Sequence, residues 1–503
     1  MPVRSCAIVG STLQISMKNK SISVISRRHF IRQAACAALG TGALTSAIRD
    51  LRFMNAAVAQ SVPSDYKALV CIFLSGGNDS NSLIIPTIQS EYDDYAAIRT
   101  DLLALPISGA PNVALPLNPL SSDGHDYGLH PACPELATLF GENKLAFLFN
   151  TGTLVFPMSR AQFQSGILEK PPQLFSHSDQ VTQWQTSIPD RPPLTGWGGR
   201  CADLLAAMQP GAPISLSVTL AGANTFEVGN VISQYSVTSS GAINLSNVSG
   251  TRLAAVSNLL ALPYPNLQTK AYADVGEHAI QTGSLLNAAI APTAAANYWT
   301  TPFPTSITTP TSGFKFGTSL ASQLRMIARL IEAGHRDAAA GGFGMKRQIF
   351  FCQVGGYDLH SGQTPGPGQS TIGSHANLLA ELSQSMFVFQ RAMEQLGLSN
   401  NVTTFTASDF GRTLPCNGDG TDHGWGSHHM IMGGAVNGRR TYGRFPTLAI
   451  NGPDDTTTGR WIPTTAIDQY FATLAKWFGV DSGSISTVFP NLNRFSTPNL
   501  GFV

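Results

Sequence analysis

Three apolar runs stand out along this chain, and each closes on glycine or small polar residues with an aspartate among them. They are LVCIFLSGGND (69–79), QIFFCQVGGYDLH (348–360) and VTTFTASDFGRT (402–413). Unbroken Val/Ile/Phe/Leu runs ended by glycine predict strands buried on both faces, the pattern of a parallel sheet. Helical spacing leads into two of them: LASQLRMIARLIEAG (320–334) before the second and ANLLAELSQSMFVFQRAMEQLGL (376–398) before the third. LHPACPELATLFGENKLAFLFNTG (129–152) predicts a helix and then a strand, and a helix at 204–208 precedes a strand at 214–222. Residues 223–314 lose clear periodicity and are rich in Ser, Thr, Asn and Ala, which predicts a loop-rich cap or insertion on the sheet. Strands alternating with helices predict an α/β fold with a mostly parallel sheet covered on both faces.

The N-terminal pattern is different. Ser26-Arg27-Arg28-His29-Phe30-Ile31-Arg32 is a twin-arginine export motif, followed by the apolar stretch QAACAALGTGALTSA (33–47) and an Ala57-Val58-Ala59 cleavage site. Residues 1–59 therefore read as a signal peptide handled by the twin-arginine translocase, with Met17 a more ordinary start than Met1. The mature part, 60–503, reads as a single domain that is periplasmic or secreted. The apolar stretch is too short to span a bilayer, which takes about 20 residues, so no stable membrane span is expected. Lys+Arg number 31 against 30 Asp+Glu in 503 residues, and no basic cluster points to nucleic acid. Five cysteines lie beyond the signal region at wide spacing, without a C-x-x-C pair, which argues against a disulfide framework.

The candidate chemistry sits at the ends of the apolar runs. In open α/β sheets ligands bind at the carboxyl ends of the strands, which would bring Asp79, Asp358 and Asp409 to one rim. Carboxylates buried together need a cation or shared protons. His360 follows Asp358 by two residues, and His423 lies in NGDGTDHGWGSHH (417–429) beside Asp422. Oxygen ligands with imidazoles suit Mn, Zn or Fe; an all-oxygen set suits Ca or Mg. In FSHSDQ (175–180) His177 lies near Asp179, either an oriented general acid or base or a satisfied loop pair. Arg412 either holds an anion or pairs with the acidic cluster. The DFG string lacks the other kinase motifs. The GWGGR (196–200) and GWGSHH (424–429) loops shape turns, or present Trp425 for stacking on a glycan.

GGNDSNSLIIP (76–86), LFSHSDQVTQWQT (174–186), TGWGGRCAD (195–203), GGYDLHSGQ (355–363) and SDFGRTLPCNGDGTDHGWGSHHMIMGGAVNGRRTYGRFP (408–446) together resemble a family of twin-arginine-exported bacterial proteins, domain of unknown function 1501. That family is similar to the alkaline phosphatase and sulfatase superfamily. The resemblance implies a three-layer α/β/α sandwich with one or two divalent ions (Zn, Mn, Ca or Mg) bound by Asp79, Asp358, His360, Asp409 and His423. Phe410 stands where a ligand histidine is expected, and Asp358 and His360 are spaced more closely than in the superfamily. A nucleophile is implied at a helix start after the second strand, where Thr151, Thr153 or Ser159 qualify and Ser159 is favoured; Arg412 and His177 would steady the oxyanion. The function so implied is an exported metal-dependent hydrolase of phosphate or sulfate esters, small or part of the envelope. The alternative is a non-catalytic exported binding or assembly protein on a degenerate form of the fold.

Overall fold

The strand Lys67–Leu74 (β1) is the middle of the architecture: KALVCIFL is buried from Ala68 onward. In the computed structural model, residues 65–503 are described apart from positions 122, 210 and 296. The twin-arginine motif, its apolar stretch, the cleavage site and Met17 lie outside the described residues. After β1 come the helix Gln89–Leu103 (α1), the strand Leu145–Gly152 (β2), the helices His177–Thr186 (α2) and Trp197–Ala206 (α3), and the strands Ser217–Thr219 (β3) and Tyr235–Thr238 (β4). The helices Leu267–Ile290 (α4) and Leu320–His335 (α5) follow, then Arg347–Val354 (β5), Ser374–Gln395 (α6), Val402–Ser408 (β6), Ser427–Met432 (β7) and Ile467–Phe478 (α7).

The main sheet runs β2-β7-β6-β1-β5-β3-β4, with two-residue strands at its margins. Of these seven strands only β7 runs opposite to the rest, so the sheet is mostly parallel. Helices flank both faces. On one face Phe73, Phe351 and Phe405 meet Trp184, Trp197, Phe226 and Phe471; Trp197 stacks on Phe471 at 4.5 Å. Such aromatic pairs contribute about 0.5–1.5 kcal/mol beyond the area they bury. On the other face α5 and α6 pack together, with α5 against β5. The α5 stripe of Leu320, Leu324, Ile327, Leu330 and Ile331 is buried, as its helical spacing requires.

Residues 223–314 differ from the loop-rich cap expected of them. They add β4 to the sheet edge and carry a helix at Thr251–Leu260 as well as the 24-residue α4. The buried side of α4 is Ala273, Thr282, Gly283, Leu286, Ala289 and Ile290, so large apolar residues appear only near its C-terminal end and leave little hydrophobic period to read. The five cysteines of the described region are free. No helix of the described residues is long and apolar enough to cross a membrane.

Candidate metal centre

β5, β1 and β6 are adjacent and parallel, and their last residues are in register: Leu74 opposite Val354 on one side and Ser408 on the other. The loops that follow leave from one rim. Gly76 makes this possible. Its φ is +114°, and a Cβ there would lie 2.4 Å from the Asp358 amide nitrogen, so only glycine lets the two loops touch. The Gly76 amide in turn donates to Asp409 Oδ1 at 3.0 Å.

Four side chains converge above this rim. The His177 and His423 Nε2 atoms are 3.1 Å apart, and His360 Nε2 is 2.8 Å from His423 Nε2. The Asp358 carboxylate lies 3.4 Å from His177 Nε2, 3.4 Å from His423 Nε2 and 3.2 Å from His360 Nε2. His177 opens α2. The outer nitrogens are all engaged: His177 Nδ1 with Asp409 Oδ2 at 2.7 Å, His423 Nδ1 with the Phe175 carbonyl at 2.7 Å, and His360 Nδ1 with Asp422 Oδ1 at 3.2 Å.

Those partners only accept, which assigns the tautomers. Each Nδ1 carries the proton, so in the neutral rings each Nε2 presents a lone pair. Lone pairs and a carboxylate facing each other at these distances repel unless a positive centre lies among them. Burial, with the charge of Arg412 and the neighbouring histidines, holds His423 below the ordinary imidazole value against the pull of the Phe175 carbonyl, so the imidazolium is disfavoured there. Burial raises the Asp358 carboxyl, but the hydrogen bond and charge of Arg412 outweigh it and leave it below the usual carboxylate range. A tetrahedral ion about 2.0–2.1 Å from its ligand nitrogens would hold ligand atoms about 3.3 Å apart. His177, Asp358 and His423 already present ligand atoms mutually within 4.8 Å. Imidazoles whose other nitrogen donates to a carboxylate or carbonyl are the usual supported metal ligands, so the residues fit a divalent metal ion.

The structure rearranges the roles read from sequence. Asp409 stands behind His177, one oxygen on its Nδ1 and the other on the Gly76 amide, rather than among the converging nitrogens. Asp79 is also turned elsewhere: its buried Oδ2 meets Arg99 Nη2 at 2.5 Å, Ser82 Oγ at 3.0 Å and Gln363 Nε2 at 2.6 Å. Arg412 is fully buried and donates to Asp358 at 2.5 Å and to the carbonyls of Gly76, Gly77, Tyr357 and Thr421. Its donors tie the loops together and are not turned to an anion. His177 has Asp409 as its carboxylate partner; Asp179 bonds Ser176 instead.

Ser159 caps the short helix Arg160–Ser165 in a capping box with Gln162, and lines a cavity of about 530 Å³ with Arg444 and Asp454 that includes none of the four converging residues. Thr151 and Thr153 are buried, Thr153 on Gln180. Phe410, fully buried, packs its ring 4.8 Å from His177 and 4.6 Å from His423, an apolar wall where a ligand was expected. Trp425 is 1% exposed and donates to the Thr153 carbonyl, which removes it from glycan stacking. Sequence reasoning missed Arg99, whose signal is an arginine in register with Tyr95 and Leu103 on the buried side of α1. It also missed Asp422 as a support for His360, and Arg460, which donates to the His423 carbonyl.

A family profile described as "Protein of unknown function (DUF1501)" matches residues 333–482, a span that holds Asp358, His360, Asp409, Arg412 and His423. Among solved structures, the chain aligns with the PsFucS1 sulfatase from Pseudoalteromonas sp. over 87% of its own length and 72% of that chain, at 10% identity and a TM-score of 0.29. At that score the likeness carries no argument about activity. No curated protein matches the chain.

Proposed function

We propose that the protein is an exported metal-dependent hydrolase of phosphate or sulfate esters, with one divalent ion held by His177, His360, His423 and Asp358. The observation that carries the reading is the meeting of His177, His423 and Asp358 ligand atoms within 4.8 Å of one another, with His360 Nε2 beside His423 and each Nδ1 fixed by an acceptor. A bound ion would supply Lewis acidity toward the ester oxygen and lower the pKa of the attacking group. Asp409 and Asp422 keep the imidazoles in the binding tautomer. Phe410 excludes water from the inner side of the cluster. With Ser159 occupied as a helix cap, the attacking oxygen is assigned to water entering from the exposed side.

Arg460 is the residue for the anionic end of the ester. Its Nε donates to the His423 carbonyl at 2.7 Å and its guanidinium lies 4.4 Å over the Phe175 ring. Among the described residues its terminal nitrogens have no hydrogen bond or ion pair, which leaves both for a phosphate or sulfate oxygen. A panel of aryl phosphate, phosphodiester and sulfate esters tests the reading. Turnover is expected on at least one, lost in His423→Ala, with KM raised about tenfold or more in Arg460→Met, the scale of one charged hydrogen bond. A metal-loaded protein that turns over none of them favours the second reading, a binding or assembly protein. That reading draws on the position of Ser159 away from the cluster.

A further inference from the structure

The sequence left open whether one ion or two are bound, with Asp79 and Asp409 in the ligand set that the resemblance implies. All the donors at Asp79 sit on Oδ2 and its buried Oδ1 has no hydrogen-bond partner among the described residues, so what disfavours a second ion here is the cation already beside the carboxylate. Asp79 lies in the loop after β1 with a side chain only 3% exposed, and Arg99, 0% exposed, lies 2.5 Å from it. Arg99 is fixed from its other side, donating through Nη1 to the Leu414 carbonyl at 3.1 Å and through Nη2 to Ser82 Oγ. Gln363 donates to the same Asp79 oxygen and accepts from Thr421 Oγ1 at 3.1 Å. The Asp79 carboxyl is held down to about 2: burial raises it, but the charge of Arg99 and of His375 and the bonds from Arg99 and Gln363 lower it further. Asp409 is occupied by His177 and Gly76, and Phe410 supplies no donor atom. A dication placed between Asp79 and Asp409 would face a buried guanidinium that has no route to water, and like charges at low dielectric repel strongly.

We propose that the centre is mononuclear and that Arg99 is the built-in cation of Asp79, standing where a second ion would otherwise balance that carboxylate. The inference rests on the metal reading above, and the experiment separates the two. Full chain exported by a native-type host is titrated with Mn²⁺, counted by elemental analysis and examined by electron paramagnetic resonance. The expected result is one equivalent with an uncoupled six-line signal, lost in His423→Ala. The double variant Arg99→Met with Asp79→Asn replaces the ion pair by neutral groups of similar size and is expected to keep that single equivalent. Two equivalents in the native chain, or a spin-coupled pair signal, would overturn the mononuclear assignment while leaving the metal reading intact. Loss of the single equivalent in the folded double variant would also overturn it, by placing the ion at Asp79. No uptake by the native chain would overturn both.

Discussion

Asp409 reaches the cluster through one imidazole, because its two oxygens are divided between His177 and the Gly76 amide. Asp409→Asn removes the charge and keeps the shape, so His177 loses the partner that fixes its tautomer. Supporting carboxylates of this kind are worth about 10–100-fold in metal affinity, and chelator competition should show a weakening in that range; unchanged affinity would make Asp409 a purely structural residue. Asp468 illustrates a different buried carboxyl. Burial pushes it up to about 7, with backbone hydrogen bonding, Arg200 and Ser187 pulling the other way. A pKa raised above the unfolded value means stability is present in full below about 4 and is lost as pH rises to about 7, beyond which the loss is constant. Asp468→Asn should therefore stabilise the protein above pH 7 by about 1 kcal/mol or more and change little at pH 4. Urea unfolding at the two pH values checks this; an equal effect at both would contradict the burial argument.

At the scale of elements, the apolar runs were legible because strands buried on both faces cannot afford alternation, and their order placed Asp79, Asp358 and Asp409 after neighbouring strand ends. What each aspartate does there was not legible. The partner that claims Asp79 arrives on α1, whose largely polar sequence QSEYDDYAAIRTDLL hides a buried side of Tyr95, Arg99 and Leu103. His177 was visible as a chemical residue but not as a neighbour of His423 and Asp358, since α2 precedes β6 by more than two hundred positions and only the folded sheet joins them. The glycines were the better guide. Gly76 lies in the left-handed region against the Asp358 backbone, so Gly76→Ala combines φ strain with a backbone clash. It should lower stability by about 2 kcal/mol or more and reduce metal uptake together with it, measured by denaturant unfolding and metal titration of the same samples. A stable variant with native uptake would show that the two loops need not touch.

For the whole molecule, the mostly parallel sheet, the flanking helices and the rim of loops form a frame in which residues distant in the chain meet at one point. Arg412 is the clearest instance, gathering carbonyls from the β1, β5 and β6 loops around the Asp358 carboxylate. The frame could be read from hydrophobic pattern; which residues meet at the rim depended on which long-range hydrogen bonds form, and no local pattern encodes those. The central claim is that three Nε2 atoms and Asp358 hold the ion. The most direct measurement is an anomalous-difference map from a crystal of the full chain loaded with Zn²⁺, recorded at the zinc edge. The expected result is a single peak about 2.0–2.2 Å from Nε2 of His177, His360 and His423 and from an Asp358 oxygen. A peak between Asp79 and Asp409, or no peak in the rim at all, would contradict the account.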